Sequence, residues 1–169
     1  MNIKRNLLGG FAIAAAFGML PATQAAAQSI VVNAVPGNWS FVGAAQVQVP
    51  GTLTNVFFKP ANVRLIATFS AECAVGAPAG NTSAWVDLDI VLLNAAGAVV
   101  HTLAPTLGSS DAFCSSNGTA GVDGWATQSV TAYVPFNFPA GNYRAEVRAR
   151  INAGATTGWI SDRTLLISR

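Results

Sequence analysis

Residues 62–73 read NVRLIATFSAEC, and a period of two runs through them. Val63, Leu65, Ala67, Phe69, Ala71 and Cys73 fall on one side; Arg64, Thr68, Ser70 and Glu72 fall on the other, with Ile66 the apolar exception. Successive side chains of a strand point to opposite faces, so this alternation specifies a β-strand with one face buried. Cys73 ends it on the buried side. The other cysteine, Cys114, stands in the stretch DAFC at 111–114, and no CxxC redox or metal motif is present. A Cys73–Cys114 disulfide is the simplest use of both thiols. Closing that loop of roughly 40 residues stabilises a fold by about 4 kcal/mol in the chain-entropy account.

A disulfide needs an oxidising compartment, and the N-terminus supplies a route to one. Lys4 and Arg5 precede an apolar run over 7–20, Pro21 breaks it, and Ala25, Ala26 and Ala27 stand before Gln28. This is the layout of a secretory signal, cleaved after Ala27, which divides the chain into a signal peptide over 1–27 and one domain over 28–169. The apolar run is shorter than the ~20 residues of a spanning helix, and no later run reaches that length, so no membrane span is expected in the mature chain. The short, Ala-rich signal looks bacterial. The expected location is outside the cell or in the periplasm and cell envelope.

Cleavage also changes the charge. Lys4 and Arg5 are two of the nine basic residues, and without them the basic and the seven acidic residues balance at zero. A neutral domain has no electrostatic case for nucleic acid or an anionic membrane. Only 9% of residues are charged against 51% apolar, so the surface leans on Ser, Thr, Asn, Gln and Gly. Weak mutual repulsion suits self-association into a homo-oligomer as well as a monomer with a neutral skin.

Further strands are expected at 29–34, 39–49, 52–58, 85–93, 98–103, 125–136, 143–151 and 160–168. Turns rich in Gly, Pro and Asn separate them, among them 94–97 as a hairpin and 139–142 as a type II turn with Gly141 at positive φ. Residues 74–83 read as a flexible loop, and 105–124 as a long loop pinned by Cys114. No segment repeats an apolar residue at helical spacing. The fold class is therefore all-β, a single antiparallel β-sandwich. The strand count favours a jelly roll, with an immunoglobulin-like topology as the alternative.

Chemistry is sparse. His101 is the only histidine; Ser109, Ser110 and Asp111 are near it in sequence, but no nucleophile-elbow pattern accompanies them. No catalytic residue, metal ligand set or cofactor is assigned. Asp87 and Asp89 lie two apart on one strand face beside Trp85, where paired carboxylates can flank a sugar or share a cation. Exposed tryptophans stack on sugar rings. Trp85, Asp87, Asp89 and Trp125, which follows a Gly-rich loop, are the candidate ligand-binding residues for a carbohydrate or protein ligand. The ordinary alternative is a solvated strand face. Glu72, Asp111 and Asp123 are expected to gather round the disulfide. Arg144, Glu146, Arg148 and Arg150 read as a charged strand edge that resists aggregation.

Four stretches, FSAEC at 69–73, DAFC at 111–114, DGW at 123–125 and PAG at 139–141, resemble a pattern in uncharacterised secreted bacterial β-sandwich proteins, over about residues 62–168. That resemblance implies a fold and no activity. The turn-then-strand ending is also similar to the C1q/TNF-like jelly rolls, a likeness that implies trimers. The expected function is a secreted or envelope-associated, non-catalytic binding or structural module. The alternative is a glycosidase-like hydrolase built on an acidic pair.

Overall fold

The computed structural model describes residues 28–108, 111–122 and 125–169. The signal segment 1–27 with its cleavage site, Ser109, Ser110, Asp123 and Gly124 lie outside the described residues. Among the described residues every regular element is a strand: β1 (Ser29–Val35), β2 (Trp39–Phe41), β3 (Val47–Gln48), β4 (Phe57–Lys59), β5 (Leu65–Ala77), β6 (Trp85–Leu93), β7 (Val99–Thr102), β8 (Ala112–Ser115), β9 (Gly121–Val122), β10 (Ala126–Val134), β11 (Gly141–Asn152) and β12 (Thr157–Ser168). No helix in this part is long and apolar enough to cross a membrane.

The strands form two antiparallel sheets. One, the β5 sheet, runs β1-β12-β5-β10, with β2 on β12 and β9 on β5. The other, the β6 sheet, carries β3 and β4 on β11, then β6, then β7 and β8. The pairings nest: β1 with β12, β3 and β4 with β11, β5 with β10, β6 with β7. First strand pairing with last, and each pair enclosing the next, is the wrapping of a jelly roll. An immunoglobulin-like sandwich pairs its first strand with its second instead, so that alternative is set aside.

Alternation does the folding work. Leu65, Ala67, Phe69, Ala71 and Cys73 of β5 are buried against Val86, Leu88, Ile90 and Leu92 of β6 and Ala145, Val147 and Ala149 of β11. Within the β5 sheet, Gly158 of β12 makes room for its β2 partner: a methyl group there would lie 2.4 Å from the Phe41 ring. The disulfide joins Cys73 of β5 to Cys114 of β8, so it ties the two sheets together, with Cα atoms 6.1 Å apart. Lys59 and Arg163 are buried too, each held by carbonyls. Lys59 Nζ donates to Phe138 O at 2.7 Å, and Arg163 reaches Pro50 O and Gly37 O at 2.7 and 2.9 Å.

Several expectations need correction. The strand expected at 39–49 is two: β2 joins the β5 sheet and β3 the β6 sheet, so the alternating apolar residues survive a change of sheet. The strand at 52–58 shrinks to β4. Ahead of it Thr52 and Thr54 are buried, and their hydroxyls accept from the β11 amides of Val147 and Ala145. The flexible loop at 74–83 is strand through Ala77, because β12 and β9 both pair there. Gly76 answers to that crowding, with the Thr156 hydroxyl 3.2 Å from where its Cβ would be. Gly141 opens β11 and is not among the glycines at positive φ. β11, read as a charged edge, is an interior strand between β3 and β6.

Replacing Cys73 and Cys114 with alanine is expected to lower unfolding free energy by about 4 kcal/mol in denaturant titration. A loss below 1 kcal/mol would show that the sheets hold their register without the bridge.

Candidate functional site

A sandwich has two outer faces, and this one treats them oppositely. On the β6 sheet, Trp85, Asp87 and Asp89 point outward as their spacing requires. The ladder sets Asn152 opposite Trp85, Arg150 opposite Asp87 and Arg148 opposite Asp89. Yet this face is closed. Asp87 is 0% and Asp89 4% exposed, because Gln46, from the crossing between sheets, and the segment at Gly108 fold over them. Arg150 is the centre of the closure. Its Nε donates to Asp87 Oδ2 at 2.7 Å, and its Nη2 lies 2.6 Å from the same oxygen and 3.9 Å from Asp89 Oδ2. Nη2 also donates to Gly108 O, and Gln46 Nε2 donates to Asp89 Oδ2. Arg148 turns to Glu146, 2.7 Å away.

The electrostatics follow from burial. Desolvation pushes the Asp87 carboxyl above its ordinary pKa; Arg150 opposes this by hydrogen bond and charge, and Asp111 adds to the rise. Asp89 is also raised, first by burial and then by the charge of Asp87, while Gln46 and Arg150 pull it down. Asn152 draws the Asp87 pKa down, though without a hydrogen bond of full geometry: Asp87 Oδ1, Asp89 Oδ1, Asn152 Nδ2 and Trp85 Nε1 are all buried and unpartnered. The described residues hold no cluster of three or more metal-ligating side chains, and Arg150 already occupies the position a cation would take between the two acids.

Two of the three acids expected at the disulfide part company. Asp111 faces Asp87 and Asp89, Glu72 points from the outer face of the β5 sheet, and Asp123 is outside the described residues. His101 is half-buried on β7 with its ring 4.8 Å from Phe138, and burial lowers its pKa.

Trp125 stands on the other sheet, apart from the remaining candidates. It is 42% exposed and meets Trp159 edge-on, ring centroids 6.2 Å apart. Trp159 pairs with Ala74 of β5, so the two indoles close one end of the outer face of the β5 sheet. From there the face runs in rows. Thr127 lies beside Glu72, Ser129 beside Ser70 and Thr164, Thr131 beside Thr68, Leu166 and Val32, and Tyr133 beside Ile66 and Ser168. Within these rows Glu72 is the only charged side chain. Arg64 stands just beyond them, over the Tyr133 ring at 5.1 Å. Ser70 and Ser129 hydroxyls pair at 2.9 Å, Thr68 and Thr131 at 3.2 Å. Among the described residues no segment covers this ladder: Thr127, Ser129, Thr131 and Tyr133 are exposed along its length.

Sequence reasoning passed over this face, since Ser and Thr in alternation read as ordinary solvated positions. It also missed Arg150 as the partner of Asp87. The signal was there: outward acids on one strand and outward arginines on another share the same period.

No family model matches the chain, and no curated protein matches it. Solved structures do. The crystal structure of the infectious bursal disease virus VP2 subviral particle is 14% identical, with TM-score 0.48, over 92% of this chain and 37% of that one. The structure of the Gx strain of that virus is 13% identical, with TM-score 0.44, over 84% and 32%. The chain spans about a third of the length of these structures, and at this level of likeness they carry no information about its role.

Arg150→Met strands two carboxylates in the β6 sheet and is expected to cost about 3–5 kcal/mol of stability, read by denaturant unfolding. A second expectation concerns pH. A carboxyl whose folded pKa lies above its unfolded value stabilises the fold fully below the unfolded value, near 3.9, and loses that contribution as pH rises through the folded value. The melting temperature of D87N/D89N should therefore vary less with pH, from about 4 upward, than that of the wild type. Parallel curves would mean the two acids do not titrate abnormally.

Proposed function

We propose that the protein is an exported, non-catalytic contact module whose working surface is the outer face of the β5 sheet. The observation that carries this is the contrast between the two outer faces. One is sealed by Arg150, Gln46 and the Gly108 segment; the other presents hydroxyl ladders, two tryptophans and few charges across four strands. A low-charge surface with lateral hydroxyl pairs loses little on desolvation, because its polar groups keep partners when water leaves. The inter-sheet disulfide supports an oxidising, extracytoplasmic destination.

The burial of Asp87 and Asp89 supports the non-catalytic reading, since a glycosidase acid pair has to reach both sides of a scissile bond. It equally weakens Trp85, Asp87 and Asp89 as a carbohydrate platform. If the ligand is a sugar, the exposed Trp125 with Trp159 edge-on beside it is the better-supported place for stacking.

Radical footprinting tests the surface without knowing the partner. In the protein's native setting Trp125 and Tyr133 should be labelled several-fold less than in purified, highly diluted protein. Phe58, exposed on the β6 sheet, should be labelled equally in both. Equal labelling of Trp125 and Tyr133 in the two settings sinks the reading.

A further inference from the structure

We propose that the partner this face takes is a second copy of the chain, packed face to face about a two-fold axis that crosses β5 at Thr68; the inference rests on the contact-surface reading above. Arg64 and Glu72 share the face, carry opposite charges, and each stand four residues from Thr68. A two-fold axis lying between the copies and perpendicular to β5 reverses the strand. It sets Arg64 of each copy opposite Glu72 of the other, about 13 Å to either side of the axis at ~3.3 Å per residue. The two charges flanking the centre of β5 are thus complementary to themselves, which is what an isologous interface needs, and Asp162 lies off this line in the β12 bulge.

Size agrees. Four strands about 4.8 Å apart, over the nine residues from Arg64 to Glu72, project on the order of 500 Å². Side-chain relief raises that toward the ~800 Å² per partner of a standard interface. Thr68 and Ser70 enter the contact already hydrogen-bonded to Thr131 and Ser129, so these four hydroxyls keep partners when water leaves. Leu166, Ile66 and Tyr133 supply apolar area between them.

Addition of strands at the edges of the β5 sheet is another way this sheet could associate, and a neighbouring loop engages each of those two edges. Beside β1, Asn33 Nδ2 donates to Leu53 O at 2.9 Å; beside β10, the Tyr133 amide donates to Ala104 O at 2.8 Å. Among the described residues the face has no such cover.

Charge reversal tests the arrangement. Wild-type protein, purified with its disulfide intact, should give a dimer mass in light scattering that falls to a monomer on dilution. R64E and E72R each put like charges across the axis and should each associate at least tenfold more weakly. Mixed one to one they should form a heterodimer, because every facing pair is again opposite in sign; this recovery also shows that both variants are folded. A wild-type monomer at all concentrations, or a dimer indifferent to both variants, overturns the proposal. If the wild type is monomeric while Trp125 and Tyr133 stay protected in the native setting, the contact surface stands and its partner is another molecule. If that protection is missing, both readings fall together.

Discussion

The apolar layer between β5 and β6 is the constraint from which the rest of the molecule follows. Neither strand can bury its inward residues alone, and their partners come from distant parts of the chain: β12 and β10 for β5, β11 and β8 for β6. Folding must therefore close long loops before burial repays them. The Cys73–Cys114 bridge sits at this layer and removes one such loop from the unfolded ensemble. Close approach of the sheets explains the small inward residues around it, Ala67, Ala71, Ala145 and Ala149.

Once the inner layer is set, the outer faces are free to differ. On the β6 sheet the two central strands bring Arg148 and Arg150 together with Asp87, Asp89 and Glu146, and the crossings between sheets fold over Asp87 and Asp89. Arg150 then answers two carboxylates at once, and the cost of burying all three charges is offset by hydrogen bonds from Gln46 and to Gly108. A network of this kind fixes loops more than it adds stability. On the β5 sheet the same alternation yields Ser and Thr, which pair laterally and need no cover. One sandwich thus has a sealed side and an open one.

The strand pattern was legible because period-two alternation runs through much of the long strands; the inward set of β11, from Ala145 to Ile151, is buried throughout. Places where small residues served packing were misread as loop: Ala74 to Ala77 carry no bulky alternation, yet two neighbouring strands hold them in the sheet. The candidate residues were partly legible. Trp85, Asp87 and Asp89 do share a face, but period two says only which way a side chain points, not what lies above it. Asp87 points outward and is buried all the same. Trp125 points outward on the other sheet, a separation that no local spacing encodes.

What the sequence determined by itself is local and binary: strand or turn, inward or outward, and a cysteine placed on the inward side of β5. These follow from backbone geometry, which every residue obeys within a few neighbours. The tertiary structure alone decided which strands are interior, which outward faces are covered, and which charges meet. Arg150 finds Asp87 across 63 residues, and Trp125 finds Trp159 across the intervening strand β5. Such pairings depend on the order of strands in the sheets, a global consequence of nesting that no single segment carries. The physical reason is that burial is a property of the assembled layers, while direction is a property of the chain.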